Sequence, residues 1–211
     1  KAILETAKIV IVEVNNCLPY AAGGQEEGIH ISEVDYIVEA GDIPLAQLPS
    51  APADEIDTQV ARYIVEEITD GATIQLGIGG MPNAVGDLIA HSNVRDLGMH
   101  TEMLVDAYLT MHEKGKLTNK YKSWDKGKGA WTFCMGSQKL YDWVDRNPSL
   151  ASYPSNYTND PKVIAQIDNF ISVNNCVEVD LYGQVSSESA GIRQISGTGG
   201  PNYDDFDLSA L

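Results

Sequence analysis

Cysteine is scarce in this chain and cations are outnumbered. Cys17, Cys134 and Cys176 are the three cysteines, far apart and without a CxxC pair. That spacing suits neither a zinc knuckle nor a disulfide framework, so inert thiols of a reduced, cytoplasmic chain are expected. Long apolar runs are missing too: nothing approaches the roughly 18–20 residues of a membrane span. The opening KAILETAK lacks the apolar core and small-residue cleavage site of a signal peptide. Fourteen Lys and Arg stand against thirty Asp and Glu, a net charge of -16. Without a basic stripe, nucleic acid is not an expected partner.

What is present fits a globular protein. The 211 residues are 43% hydrophobic, enough to bury a core. The first residues already follow a helical apolar pattern, AILETAKIVIVEV, and the last, DDFDLSAL, lead into an apolar run, so an internal piece of a longer protein is expected. Six of the fourteen cations, Lys114, Lys116, Lys120, Lys122, Lys126 and Lys128, crowd into KGKLTNKYKSWDKGK (114–128). This segment is either a solvated loop or a landing site for an anionic ligand. In the second case Lys120 and Lys122 are expected to attract it.

Apolar β-branched runs alternate with amphipathic helical patterns, which points to an α/β fold. IVIVEV (9–14) and HISEVDYIVEA (30–40) read as strands. LPSAPADEID (48–57) reads as a hinge, and it divides the chain into residues 1–50 and 51–211. A helix is expected from Ile56 to Gly71, on the spacing of Ile56, Val60, Tyr63, Ile64 and Ile68. TIQL (73–76) is a buried strand, GIGG (77–80) a tight turn, and Pro82 suits a first helical turn. LGMHTEM (97–103) reads as one strand with a polar end and VDAYLTMHEKG as a helix. AWTFCM (130–135) is a strand and SQKLYDWVDRN a helix. NPSLASYPSNYTNDP (147–161) reads as a connection, with Pro161 opening a helix after Asn159 or Asp160. FISVNN (170–175) and VEVDLYG (177–183) are strands, and SGTGGPNYDD (196–205) is a second glycine-rich loop.

Three places could carry chemistry. QLGIGGMPNAVGDLIA joins a strand, a glycine turn and a helix, and backbone N–H groups at such a helix start favour negative charge. As a dinucleotide fingerprint it fails, because Pro82 stands where GxGxxG needs glycine. Tight backbone packing without a ligand is the plainer alternative. His100-Thr101-Glu102 has the H-x-E spacing of zinc deaminases, but there is no PCxxC partner and no second histidine four residues away. No metal site is therefore expected. What remains is a carboxylate at a strand end. It is either an ordinary polar end or a nucleophile whose acyl intermediate needs nearby N–H donors. The third place is ISGTGG (195–200), where Gly197, Gly199 and Gly200 allow close backbone approach. Upstream of it, Glu188 in a serine-rich turn is a rival carboxylate.

HISEVDYIVE, LGIGGMPNAV, LGMHTEM, DKGKGAWTFCMGSQKLYDW, NDPKVIAQIDNFISVNNCVEVDLYGQV and ISGTGG together resemble the family I CoA-transferases. The likeness is closest to the acetyl-CoA hydrolase/transferase branch, which includes butyryl-CoA:acetate and 4-hydroxybutyrate CoA-transferases. The resemblance implies an α/β fold with open mixed or parallel sheets and flanking helices, of the NagB/RpiA-like kind. Residues 1–50 would end an N-terminal CoA-transferase domain and 51–211 would belong to the catalytic C-terminal one. It also implies that Glu102 is the nucleophile and that Asn159 steers its carboxylate. Gly77, Ile78, Gly79, Gly80 and Met81, with Val177 and Gly200, would contact coenzyme A. CoA would be a substrate, with no permanently bound cofactor. The reaction implied is transfer of CoA between butyryl-CoA and acetate through a glutamyl-CoA thioester. Partners would be an acyl-CoA and a short-chain carboxylate, and a homo-oligomer is expected. The alternatives are an acyl-CoA hydrolase and, in another class, a non-catalytic CoA- or nucleotide-binding module.

Overall fold

A computed structural model describes residues 2–48, 52–77 and 79–195. In chain order it contains α1 (Ala2–Thr6), β1 (Ile11–Asn15), a 3-10 turn (Ile31–Glu33), β2 (Tyr36–Gly41), α2 (Glu55–Glu66), β3 (Thr73–Leu76), α3 (Gly80–His91), β4 (Gly98–Met99) and β5 (Met103–Leu104). Next come α4 (Asp106–Glu113), β6 (Gly129–Trp131), β7 (Phe133–Cys134), α5 (Gln138–Val144), β8 (Leu150–Ser152), α6 (Ser155–Thr158), α7 (Pro161–Ile164) and β9 (Phe170–Val173). Two short hairpins end the described chain: β10 (Glu178–Val179) with β11 (Val185–Ser186), and β12 (Ser189–Ala190) with β13 (Arg193–Gln194). The architecture is α/β, as expected from the sequence.

β3 is the centre. It pairs in parallel with β4 on one side and β9 on the other. All four of its residues are buried, as a parallel strand covered on both faces requires. An isolated parallel bridge from His100 to Ala130 carries the pairing on to β6, which pairs in parallel with β8. Ile74, Leu76, Val85, Ile89, Leu97, Met99, Leu104, Tyr108, Met111 and Leu140 fill the core, all fully enclosed. The Tyr108 hydroxyl stays satisfied there by accepting the Leu76 N–H at 2.8 Å.

α2 starts at Asp54, which forms a reciprocal capping box with Asp57. It ends at Glu66 and not at Gly71: the expected last turn opens into the loop before β3, and only Ile68 of that stretch enters the core. The expected strand at 30–40 is divided. His30 caps the 3-10 turn by accepting the Ser32 N–H, and the strand proper begins at Tyr36. In the 147–161 connection lie two unforeseen elements, β8 and α6. The strand expected over 177–183 is a two-residue strand running into a hairpin turn, where Asp180 accepts the N–H groups of Tyr182 and Gln184.

The segment before residue 49 is tied to the rest mainly through polar bonds. Asp145 accepts the Tyr20 N–H, Arg146 donates to the Tyr20 carbonyl, Ala22 accepts from Ser152, and the Tyr141 hydroxyl donates to the Ala46 carbonyl. Its own sheet is the parallel pair β1–β2, which leaves Ile11, Tyr36, Ile37 and Val38 about half exposed or more.

Candidate active site

The parallel strands β3, β4 and β9 end at Leu76, Met99 and Val173. The residues that follow leave the sheet along one edge: Gly77, Gly79 and Gly80 after β3, Thr101 and Glu102 after the His100 bridge, and 174–177 after β9. The carboxyl edge of parallel strands is where open α/β sheets place ligands.

Glu102 owes its position to a break that the sequence reading did not foresee. LGMHTEM is two short strands, β4 and β5, and the neighbouring run 129–134 is likewise split into β6 and β7. At the break the Glu102 carbonyl accepts both the Thr132 N–H (2.9 Å) and the Phe133 N–H (3.1 Å). Two residues facing one make a bulge, a device that re-aims a side chain. The half-buried Glu102 side chain meets Asn159, which is half-buried just past the end of α6. Asn159 Nδ2 donates to Glu102 Oε2 at 3.0 Å.

The amide is held in that orientation. Asn159 Oδ1 accepts the Thr158 hydroxyl at 3.0 Å, and the Thr158 hydroxyl is in turn bonded to that of Thr132. The donors then run in one direction, from Thr132 through Thr158 to the Asn159 carbonyl oxygen, while the Asn159 amide faces the carboxylate. Such a chain polarises each member. Glu102 and Asn159 were both singled out from the sequence. Thr158 and Thr132 were not, and adjacency of Thr158 to Asn159 was the one signal for them.

The glycine turn after β3 is shaped by its neighbours. Gly79 has φ +120°, a region L side chains avoid, and it precedes α3 without a side-chain cap. Side chains on Gly77 and Gly80 would meet Asn174 and Asp57. Close packing thus accounts for these two glycines. The start of α3 has no acidic residue in its own first turn, but the Asp57 carboxylate of α2 lies beside Gly80 and faces the partial positive charge there. Met81 is half-buried against the core. Beneath the turn, Gln75, Ser172 and Asn174 form a closed amide–hydroxyl network. Val177 follows β9 along the same edge and donates to the Ser186 carbonyl. Glu188 lies in the turn between β11 and β12. Ile78, Gly197, Gly199 and Gly200 lie outside the described residues.

The lysine segment is only partly open: Lys114, Lys120, Lys126 and Lys128 are exposed, Lys116 is half-buried and Lys122 is buried. Lys122 is 2% exposed and donates to the carbonyls of Met99 (2.9 Å) and Lys128 (2.8 Å). Burial pushes its pKa down to about 8, partly opposed by Asp125. Lys120 is paired with Asp96 at 2.9 Å. Lys116 and Lys128 donate to the carbonyls of Ser92 and Pro148. The expectation that Lys120 and Lys122 attract an anion is corrected for Lys122, whose ammonium is buried on two carbonyls, while Lys120 stays half-exposed in its ion pair with Asp96.

Among the described residues no group of three or more His, Cys, Asp or Glu could hold a metal ion, and no helix is long and apolar enough to cross a membrane. A cleft of about 370 Å³ between α2, α3 and α4 is lined by Thr58, Asn83, Asp87 and Asp106, and neither Glu102 nor Asn159 reaches it.

A parallel sheet with an oriented carboxylate at its carboxyl edge defines an α/β protein of the kind that binds ligands at the strand ends. Residues 1–49 match the acetyl-CoA hydrolase/transferase N-terminal domain, and residues 136–209 match the acetyl-CoA hydrolase/transferase C-terminal domain. The chain belongs to the acetyl-CoA hydrolase/transferase family. It is 55% identical to a probable butyrate:acetyl-CoA coenzyme A-transferase of Syntrophomonas wolfei, over 94% of this chain and 44% of that protein. It is 53% identical to the butyryl-CoA:acetate CoA-transferase of Anaerostipes caccae, over 94% of this chain and 45% of that protein. The structure of a 4-hydroxybutyrate CoA-transferase from Porphyromonas gingivalis superposes with a TM-score of 0.80 at 38% identity, covering 87% of this chain and 46% of that one. The chain thus spans a little under half the length of the relatives it matches.

Proposed function

We propose that the protein transfers CoA between a short-chain acyl-CoA, butyryl-CoA first, and a carboxylate such as acetate. The observation that carries this reading is the 3.0 Å bond from Asn159 Nδ2 to Glu102 Oε2 at the carboxyl edge of the sheet. One carboxylate oxygen is held and the other can attack. Glu102 attacks the acyl-CoA carbonyl and expels CoA thiolate, leaving a mixed anhydride. The thiolate then attacks the Glu102 carbonyl of the anhydride, releasing the free acid and forming a glutamyl-CoA thioester. The incoming carboxylate runs the two steps in reverse. Splitting one exchange in this way replaces a hard step by easier ones. Each step passes through an oxyanion, for which Gly79, Gly80 and Met81 are the candidate N–H donors, the Gly77 N–H being bonded to the Val173 carbonyl. A single donor of that kind contributes roughly 3 kcal/mol.

Gly77, Ile78, Gly79, Gly80, Met81, Val177 and Gly200 would contact CoA, supported for five of them by their place along the sheet edge. We keep residues 1–50 as the end of one domain and 51–211 as part of the catalytic one, which the matched stretches 1–49 and 136–209 support. A cytoplasmic location agrees with three unpaired cysteines, and a homo-oligomer remains part of the reading.

Mass spectrometry after incubation with butyryl-CoA tests it. A CoA adduct should map to the peptide holding Glu102 and vanish in Glu102→Gln. An adduct on Glu188 in its place overturns the assignment. Acetate-dependent butyryl exchange, measured against plain thiol release, separates transfer from hydrolysis.

A further inference from the structure

His100 is completely enclosed, and it touches neither the edge where substrate would lie nor any carboxylate. Its backbone N–H donates to the Ile74 carbonyl, and its own bridge to Ala130 fixes it between β3 and β6. The ring meets Phe170 edge-on at 6.1 Å between centroids and lies tilted against Tyr157 at 6.4 Å. Its Nε2 is 2.8 Å from the Thr158 carbonyl oxygen. A carbonyl only accepts, so Nε2 carries the proton. Nδ1 is buried without a partner, so nothing there stabilises a second proton. Burial first, and then the charge of Lys122, hold the imidazole pKa down to about 4. The ring is neutral at pH 7 and cannot be a general acid or base for a substrate it does not reach.

The Thr158 carbonyl belongs to the peptide immediately before Asn159. It lies at the C-terminus of a four-residue helix, where carbonyls have no partner within the helix. The following N–H, that of Asn159, donates back to the Ser155 carbonyl at 2.9 Å. The peptide is therefore gripped from both sides. His100 and Glu102, two apart on one chain, hold the consecutive residues Thr158 and Asn159. From this two-point grip we infer that His100 is a positioning residue, which sets the place of Asn159 and through it the aim of the Glu102 carboxylate. The inference rests on Glu102 being the nucleophile.

The protein at its full natural length tests this with three variants. In His100→Gln an amide N–H can take the place of Nε2. In His100→Asn the shorter amide cannot reach the Thr158 carbonyl, although it is equally polar. In His100→Leu the donor is gone. Asn and Leu variants should lose kcat roughly tenfold to a hundredfold, as misplaced reacting groups do. The KM for acyl-CoA should stay within about twofold, and Gln should recover most of the loss. In an Asn159→Ala background, His100→Asn should cost less than about twofold more, because residues acting as a unit are not additive. Full multiplication of the two effects, or equal loss in the Gln and Asn variants at matched thermal stability, overturns the inference. Should Leu not fold, the Gln–Asn pair still decides. Failure of the nucleophile reading shows separately, as activity or an adduct surviving in Glu102→Gln.

Discussion

At the scale of single residues, the H-x-E triplet shows what spacing conveys and what it leaves out. The absence of partner ligands in the sequence removed a metal reading, and Glu102 with Asn159 emerged from the resemblance as a working pair. The structure brings them to 3.0 Å. The place of His100 was not legible, because its partner is a backbone carbonyl 58 residues away and no side-chain pattern records that. The histidine makes a prediction about stability. Its folded pKa of about 4 lies below the ordinary 6.5, so between these values the unfolded chain binds a proton that the folded chain refuses. Its contribution is complete above pH 6.5 and is lost as pH falls toward 4, by up to about 3 kcal/mol. Urea unfolding of wild type and His100→Gln from pH 7 to pH 4 should show the excess loss in wild type alone. Parallel curves for the two would contradict a buried neutral ring.

Elements were legible where period and burial agreed. TIQL emerged as β3 without change, α4 and α5 fall within their expected stretches, and α3 takes in Gly80 from the expected turn; each helix buries one apolar face. Breaks were not legible. Whether LGMHTEM is one strand or two depends on the Glu102 carbonyl collecting two N–H groups from a strand 30 residues on, and local composition says nothing of that. β8 escaped for a similar reason: LAS is too short to carry a period, and its pairing with β6 makes it a strand. The contact between α3 and α4 gives a second prediction. A side chain at Gly86 would place its Cβ 2.5 Å from the Ala107 Cβ and 3.3 Å from the Ala107 Cα. Gly→Ala within a helix gains about 1 kcal/mol in propensity, but overpacking between two helices costs about 1–3 kcal/mol. Gly86→Ala should therefore destabilise in denaturant titrations, despite its better propensity. A higher midpoint would mean that α3 and α4 can separate freely.

At the scale of the whole molecule, charge and apolar surface oppose each other. The net charge of -16 already includes the six lysines of 114–128, of which Lys122 is buried on carbonyls and Lys120 is paired with Asp96. Copies of the chain repel at low salt. Yet parallel sheets are ordinarily covered on both faces, and β1–β2 leaves Ile11 63%, Tyr36 62%, Ile37 50% and Val38 49% exposed. The hairpin tips add Leu181, Tyr182 and Ile192, each almost entirely in solvent. Surfaces of that kind mark sites of association. The relatives are more than twice as long as this chain, which is room enough for further protein to cover the sheet. The 211 residues produced alone should therefore bind a hydrophobic dye and stay dispersed only while charge keeps them apart. Screening shortens the reach of charge from about 30 Å at 0.01 M salt to about 3 Å at 1 M, so sedimentation across that range should show association rising with salt. Replacing Ile11 and Ile37 by lysine should suppress both the dye signal and the salt-driven association. Monodisperse behaviour at every salt, without dye binding, would mean that the two-stranded sheet needs no cover.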